Sequence, residues 1–340
     1  MQNPAAQRVT IRFPDLFKGF LVNDPLVNTG YEAIRPESEN WIKNAMSLPP
    51  QQHKRVQDGD FTYFSAIMLP KAYPEKLKIV SDWGNWIFIF DDLFDEGELG
   101  WDVESSQKIV NELLPVMLPS NIDRWSDNPI IQAHDSIFRR LATTFSRDTS
   151  AEWNCIVGVL QHVKDRTTDR TITVQEMLDT RRSSAGIVAM YALIESAYEL
   201  NIPDEVFNHP TIKALEDLGV ECIAISNDIL SYRKEEADNC PFNMVTVCRK
   251  NGSSAQKAVD EVASMLYTRF DAWEEISKSI PNWGEDIDSQ VHQYIQGIQN
   301  IVQANTSWSF RSGRYFGPEA EKIRQSREFD VLSQPPYLVH

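Results

Sequence analysis

Apolar residues recur along most of this chain at the spacing of an α-helix. After Pro74 they stand at positions 79, 83, 86, 87, 90 and 94, which places them on one face of a helix. No run of alternating β-branched residues is closed by an Asn-Gly or Asp-Gly turn, so β-hairpins are not indicated. The pattern predicts an all-α protein. Further helices are expected over about 104–117, 130–146, 151–167, 173–183, 186–200, 210–234, 253–279 and 284–306.

The two ends of the chain lack this periodicity. We expect residues 1–35 to form an irregular N-terminal arm closed by Pro36, and residues 317–340 to form a poorly ordered C-terminal tail. No internal repeat and no long Gly/Ser/Pro-rich linker interrupts residues 36–316. The simplest organisation is therefore one helical domain over 36–316.

Composition and charge narrow the class of protein. Hydrophobic residues make up 42% and aromatic residues 10% of the 340-residue chain, which is enough to bury a large core. The formal net charge of −16 disfavours nucleic acid and anionic membranes as partners, because both attract basic surfaces. The N-terminus lacks the continuous apolar core of a signal peptide, and the longest apolar runs are too short to span a bilayer. The four cysteines lack zinc-site spacing. We expect a cytoplasmic protein, either a monomer or a homodimer.

An acidic motif, F-D-D-L-F-D-E, occupies residues 90–96 at the end of an apolar helical stretch. Asp91 and Asp95 are four residues apart, so a helix presents both carboxylates on one face. Two negative charges on one face of a helix repel each other and destabilise it, unless the helix end is solvated or a cation binds there. Carboxylates suit a hard divalent cation. From this motif alone, a metal site and a solvated acidic helix end remain alternatives.

A second polar motif, N-D-I-L-S-Y-R-K-E, lies at residues 227–235. Asn227, Ser231 and Glu235 follow each other at four-residue steps, so an amide, a hydroxyl and a carboxylate line one stripe of a helix. Lys234 adds a cation beside them. The alternative is again a solvated helix end. Two oxygen-ligand motifs together indicate a multi-metal site for phosphate or diphosphate, and there is no Walker A or G-x-G-x-x-G loop for a nucleotide.

These motifs resemble those of class I terpene synthases, and fungal sesquiterpene synthases in particular. DDLFDE resembles the family's Asp-rich motif, and residues 227–235 match its N-D-x-x-S-x-x-x-E motif. Arg314-Tyr315 is similar to the family's diphosphate-binding Arg-Tyr pair. The usual spacing of the diphosphate-sensing arginine falls on Arg181, with Arg182 as the adjacent alternative, before a helix break near Ser184-Ala185-Gly186. Ser184 stands where bacterial members often have Asp. The resemblance covers roughly residues 55–320.

The resemblance implies a single-domain class I terpenoid synthase helical bundle around a central apolar pocket. It also implies a Mg²⁺-dependent enzyme, with three metal ions and Mn²⁺ as a substitute, that ionises a prenyl diphosphate. Farnesyl diphosphate is the expected substrate and a sesquiterpene hydrocarbon or alcohol the expected product, while 10- and 20-carbon substrates remain open.

Individual residues acquire roles by the same resemblance. The catalytic residues are Asp91, Arg181, Asn227, Ser231, Glu235, Arg314 and Tyr315. Asp92, Asp95 and Glu96 could instead orient Asp91, pair with a basic residue or be solvated. The metal ligands are Asp91, Asp95, Asn227, Ser231 and Glu235; the diphosphate ligands are Arg181, Lys234, Arg314 and Tyr315.

The same family chemistry calls for an aromatic pocket. Aromatic faces stabilise a carbocation without reacting with it, and the candidates are Phe64, Phe88 and Trp308. Weaker candidates are Phe61, Tyr63 and Trp83. The alternative for all six is an ordinary place in the core.

Three other functions stay open from the sequence. One is a synthase of an acyclic terpene alcohol of the linalool or nerolidol type. Another is a chain-elongating prenyltransferase, which the Asn/Ser/Glu motif disfavours because such enzymes usually carry a second Asp-rich motif. The third is a non-catalytic helical binding protein whose acidic faces are only solvated.

Overall fold

The computed structural model describes residues 7–95, 98–117, 126–141, 163, 172–184, 186–238, 240 and 242–338. These residues form mainly α-helices, which confirms the predicted fold class. The first half of the chain contains α1 (Tyr31–Ala45), α2 (Pro50–Gly59), α3 (Phe61–Met68), α4 (Pro74–Asp95), α5 (Val103–Leu113) and α6 (Pro129–Leu141). The second half contains α7 (Val174–Ser184), α8 (Ile187–Tyr198), α9 (Asp204–Phe207), α10 (Pro210–Ala237), α11 (Met244–Lys250), α12 (Ala255–Ser277), α13 (Glu285–Arg311) and α14 (Ala320–Ser326).

The predicted helices agree with α4, α5, α7, α8, α10, α12 and α13 to within a few residues. Of the helix expected over 130–146, residues up to 141 are described and belong to α6. The helix expected over 151–167 lies outside the described residues, apart from residue 163. Within the described residues, none of the helices combines the length and apolar character that a membrane crossing requires.

Helix α10 runs through the middle of the bundle. It begins at Pro210, a residue suited to the first helical turn, and the His209 ring accepts a hydrogen bond from the Thr211 N–H. It packs against α12 and α13 and also contacts α7, α8 and α11. Gly219 permits the close approach, since a Cβ there would lie 2.5 Å from Ile298 and 2.6 Å from the Tyr191 hydroxyl.

The N-terminal part of the chain differs from the predicted irregular arm. β1 (Arg8–Arg12) forms a strand, and Pro36 lies inside α1 rather than closing an arm. Proline removes one backbone hydrogen bond from a helix. Burial of Ile34, Ser38 and Ile42 nevertheless holds α1 together on either side of it.

The C-terminal part also differs from the predicted tail, because residues 317–338 are packed on the bundle. β2 (Glu328–Leu332) pairs antiparallel with β1 and buries Phe329 and Val331 on one face. The Arg249 guanidinium donates to the carbonyl oxygens of Leu332 and Ser333 at 2.8 and 2.7 Å. Apolar and polar residues alternate in E-F-D-V-L, which is typical of a strand. The alternation spans only five residues, too few to predict the strand from the sequence.

Truncating Phe329 to Ala should therefore destabilise the whole protein. The side chain is 3% exposed, and removing a buried phenylalanine ring typically lowers the free energy of unfolding by about 3–5 kcal/mol. The matched control is Val9→Ala on β1, where the side chain is 40% exposed and a loss within about 0.5 kcal/mol is expected. Urea denaturation measures both. Equal, small losses would show that the C-terminal strand contributes nothing to the folded core.

Candidate active site

The carboxylates of the first acidic motif lie at the end of α4. Asp92 accepts two hydrogen bonds from Arg314, with Nη2 2.6 Å from Oδ1 and Nη1 3.2 Å from Oδ2. Of the alternatives left open for Asp92, the structure thus shows pairing with a basic residue. Glu96 and the side chain of Asp95 lie outside the described residues.

Arg314 reaches this position from the segment that follows α13. The Gly313 N–H donates to the Asp58 carbonyl oxygen at 3.0 Å, which ties the segment to the end of α2. Burial disfavours the charged guanidinium, but the Asp92 and Asp91 carboxylates outweigh it and hold the pKa of Arg314 well above its ordinary value. Arg314 therefore remains a cation close to both aspartates.

Tyr315 faces the opposite motif. The amide Nδ2 of Asn227 donates to the Tyr315 hydroxyl at 3.0 Å. Burial raises the pKa of Tyr315, Arg314 lowers it and Glu235 raises it again, which leaves a net increase. Tyr315 consequently keeps its proton and lies close enough to Glu235 to sense its charge.

The structure distinguishes the two candidate sensing arginines by their partners. Arg181 Nη2 donates to Asn227 Oδ1 at 2.9 Å and lies 3.0 Å from Asp228 Oδ1. Arg182 instead bonds to Asp179 and Glu221, on a different part of the α7–α10 interface. Arg181 is therefore the arginine that joins the second motif.

The predicted helix break directly after these arginines is confirmed. Helix α7 ends at Ser184 and α8 begins at Ile187. Gly186 between them has φ of +70°, a left-handed conformation that favours glycine. Ala185 and the Ser184 side chain lie outside the described residues.

The second motif lies on the C-terminal half of α10 as its spacing predicted. Ser231 is buried, and its hydroxyl donates to the Asn227 carbonyl oxygen at 2.8 Å. Glu235 Oε2 accepts a hydrogen bond from Asn243 Nδ2 at 2.8 Å. Lys234 Nζ lies 3.2 Å from Asp238 Oδ2. Sequence reasoning missed Asn243, although an Asn before the apolar M-V-T-V run was a helix-start signal.

The donor atoms fit a hard divalent cation. Within the part of the chain that the structure describes, no group of three or more His, Cys, Asp and Glu side chains is arranged to hold a metal. The second motif adds the neutral oxygens of Asn227 and Ser231 to the Glu235 carboxylate. Since the Ser231 proton is directed to a carbonyl, its oxygen is oriented as an acceptor. This all-oxygen set suits Mg²⁺ and not a soft metal.

The three predicted pocket aromatics lie together beside this polar cluster. The Phe88 and Trp308 ring centroids are 5.0 Å apart, and Phe64 lies 5.9 Å from Trp308. The indole Nε1 of Trp308 donates to the Gly59 carbonyl oxygen at 2.6 Å. Phe61, a weaker candidate, stacks on Phe88 with a centroid separation of 4.1 Å.

Of the other two weaker candidates, Tyr63 lies against Arg311, while Trp83 is buried like Phe64 and Trp308. The Tyr63 ring lies 4.0 Å beneath the Arg311 guanidinium, and Trp83 is 3% exposed. A cavity of about 650 Å³ opens beside the site. Its walls include Phe61, Asp92 and Arg314, so it connects an apolar surface with the charged groups.

Cations, carboxylates and neutral oxygens thus converge beside an aromatic cluster in an all-helical bundle, and this combination defines a class I terpene synthase. The chain belongs to terpene synthase family 2, whose C-terminal metal-binding model matches residues 82–272. The matched region contains the acidic motif at residues 90–96, the second motif at residues 227–235, and Arg181.

Comparison with individual proteins agrees with this assignment. The chain is 30% identical to silphinene synthase of Penicillium patulum, over 96% of this chain and 91% of that protein. It is 28% identical to sesquiterpene synthase 9 of Postia placenta, over 91% and 90% of the two chains. The fold is also similar to the crystal structure of α-eudesmol synthase, with a TM-score of 0.76, 22% identity and coverage of 86% and 98%.

The two arginines of α7 should respond differently to substitution. Arg181→Gln removes a charged donor from the site, and losing one preorganised donor typically lowers kcat by about 10²–10³-fold. Arg182→Gln leaves Glu221 still paired with Arg269, so kcat should fall much less than in Arg181→Gln, which also removes the cation paired with the buried Asp228. Steady-state diphosphate release measures kcat, and thermal unfolding verifies that both variants fold. A larger loss of kcat in Arg182→Gln would reverse the assignment.

Proposed function

We propose that this chain is a Mg²⁺-dependent sesquiterpene synthase. It ionises farnesyl diphosphate, converts the resulting carbocation to a sesquiterpene hydrocarbon or alcohol, and releases diphosphate. Membership of the terpene synthase family supports the reaction class. The 15-carbon substrate is supported by the similarity to a relative that is named a sesquiterpene synthase.

The observation that carries the proposal is the position of Arg314-Tyr315 between the two motifs. Arg314 binds Asp92 on α4, whereas Tyr315 binds Asn227 on α10. The Nε atom of Arg314 is buried without a hydrogen-bond partner among the described residues. Because a buried charged donor is costly to leave unsatisfied, an anion beside it would complete the site.

The metal-binding role falls to both motifs. We propose Asp91, Asp95, Asn227, Ser231 and Glu235 as the ligands of three Mg²⁺ ions. When bound, these ions supply positive charge to the departing diphosphate. The part of Asp95 in this set rests on the family resemblance alone.

The protein's own cations and hydroxyl would hold the diphosphate. Arg181, Lys234, Arg314 and Tyr315 come from α7, α10 and the segment after α13. Their positions are held before substrate arrives, since each already has a partner in the protein. Preorganised donors stabilise negative charge as it develops without further rearrangement.

The aromatic cluster would hold the carbocation. Phe64, Phe88 and Trp308 lie together, and an aromatic face in contact with a cation stabilises it by about 0.5–2 kcal/mol. Phe64 and Trp308 are buried, so water has little access to that surface. The contour of this cluster would then determine which ring closures follow.

Product analysis tests the function directly. Incubation with 10-, 15- and 20-carbon prenyl diphosphates and Mg²⁺ should give a hydrocarbon or alcohol from farnesyl diphosphate, identified by gas chromatography–mass spectrometry. Longer diphosphates formed on adding isopentenyl diphosphate would instead identify a chain-elongating prenyltransferase.

Loss of a metal ligand should abolish most turnover while leaving the fold intact. Asp91→Asn and Glu235→Gln each remove a charge from the ligand set, and we expect kcat to fall by at least about 10²-fold. Glu275→Gln, at a surface pair with Lys278, is the control and should keep wild-type turnover. Near-wild-type kcat in either ligand variant would contradict the metal assignment.

Replacing the pocket tryptophan should change products more than ionisation. Trp308→Phe keeps an aromatic face but loses the hydrogen bond to Gly59, so the ring can shift. We expect diphosphate release within about tenfold of wild type and a clearly altered product mixture. An unchanged mixture would remove Trp308 from the pocket.

A further inference from the structure

We propose that Asn243 is a positioning residue for Glu235 and thereby sets the divalent-cation affinity of the second motif. The inference rests on the proposed function, in which Glu235 is a metal ligand. Asn243 lies outside the motif, eight residues after Glu235, and begins α11.

All polar atoms of the Asn243 side chain have partners, and the side chain is fully buried. The amide Nδ2 donates to the Asp228 carbonyl oxygen at 2.7 Å and to Glu235 Oε2 at 2.8 Å. The Oδ1 atom accepts from the Val245 N–H at 2.8 Å. Since the backbone groups fix which end donates and which accepts, the amide has only one orientation that satisfies all three contacts.

Glu235 needs such support because of its place in the helix. It lies two residues before the end of α10 at Ala237, where helices fray, and its side chain is only partly buried. A hydrogen bond to Oε2 fixes the plane of the carboxylate and directs the remaining lone pairs. Groups that orient metal ligands in this way typically change metal affinity by about 10–100-fold when removed.

Neighbouring contacts make Asn243 a link between α10, which carries the second motif, and α11. Asp228 Oδ2 accepts a hydrogen bond from the Met244 N–H at 2.7 Å, and Asp228 also pairs with Arg181. One short segment, Asn243-Met244, therefore contacts the second motif near both its ends, at Asp228 and at Glu235. The contacts with Asp228 are buried, and the contact with Glu235 is partly buried.

A purely structural role for Asn243, as the N-cap of α11, is the competing explanation. Ser and Asp also cap helices well, so they retain an acceptor for the Val245 N–H. Asn243→Ser shortens the side chain and removes the donor to Glu235 without adding charge. Asn243→Asp keeps the length but places an acceptor against Glu235 Oε2. Both variants thus separate capping from positioning.

The experiment measures Mg²⁺ affinity in two ways for full-length protein. Isothermal titration calorimetry of Mg²⁺ in the presence of inorganic diphosphate reports binding, and the Mg²⁺ concentration at half-maximal turnover reports function. We expect both to weaken by about 10–100-fold in Asn243→Ser, with cooperative thermal unfolding retained. Wild-type Mg²⁺ affinity in a folded Asn243→Ser protein would overturn the inference, and Asn243→Asp serves as the second variant if Asn243→Ser fails to fold.

Two further variants complete the design. Asn128 caps α6 through a hydrogen bond from the Ile130 N–H at 3.2 Å, so Asn128→Ser is the matched control and should keep wild-type Mg²⁺ affinity. Glu235→Gln is measured in parallel. If Glu235→Gln retains full Mg²⁺ affinity and turnover, the ligand role in the proposed function fails; if only Asn243→Ser does, the positioning role alone fails.

Discussion

The pairing of buried carboxylates along α10 is the constraint on which the site depends. Leaving a buried carboxylate without its cation costs several kcal/mol, so each pair fixes the distance and rotation between α10 and a neighbouring helix. Asn227, Ser231 and Glu235 lie on the adjacent stripe, and their direction follows from that rotation. The pairs are Glu221 with Arg182 and Arg269, Asp228 with Arg181, and Glu236 with Arg249.

The third of these pairs extends the constraint to the C-terminal strand. Glu236 Oε1 accepts a hydrogen bond from the Leu332 N–H at 2.5 Å, and Tyr232 shares a hydrogen bond with Tyr337 at 2.7 Å. Burial raises the pKa of Glu236, with the Leu332 N–H and Arg249 opposing the shift. Residues more than ninety positions away thus support α10 through Tyr232 and Glu236.

Local spacing explains what could be predicted from the sequence and what could not. Helix periodicity alone was enough to predict the stripe of Asn227, Ser231 and Glu235 and the positions of most helices. Which helices meet depends on packing between distant segments. For this reason the partner of Asp92, the stacking of Phe61 on Phe88 and the role of Asn243 had no local signal strong enough to predict them. The pairing of β1 with β2 joins opposite ends of the chain and was missed for the same reason.

The junction between α2 and α3 links the two chemical halves of the site. The Gly59 carbonyl oxygen holds the Trp308 indole, while the Asp58 carbonyl oxygen holds the segment that carries Arg314. Asp60 anchors the junction through Tyr31, Arg35 and Arg311. Because one turn positions both Trp308 and the segment that carries Arg314, a shift in that turn moves both together. The aromatic surface and the arginine that we propose for carbocation and diphosphate binding are therefore coupled through the α2–α3 junction.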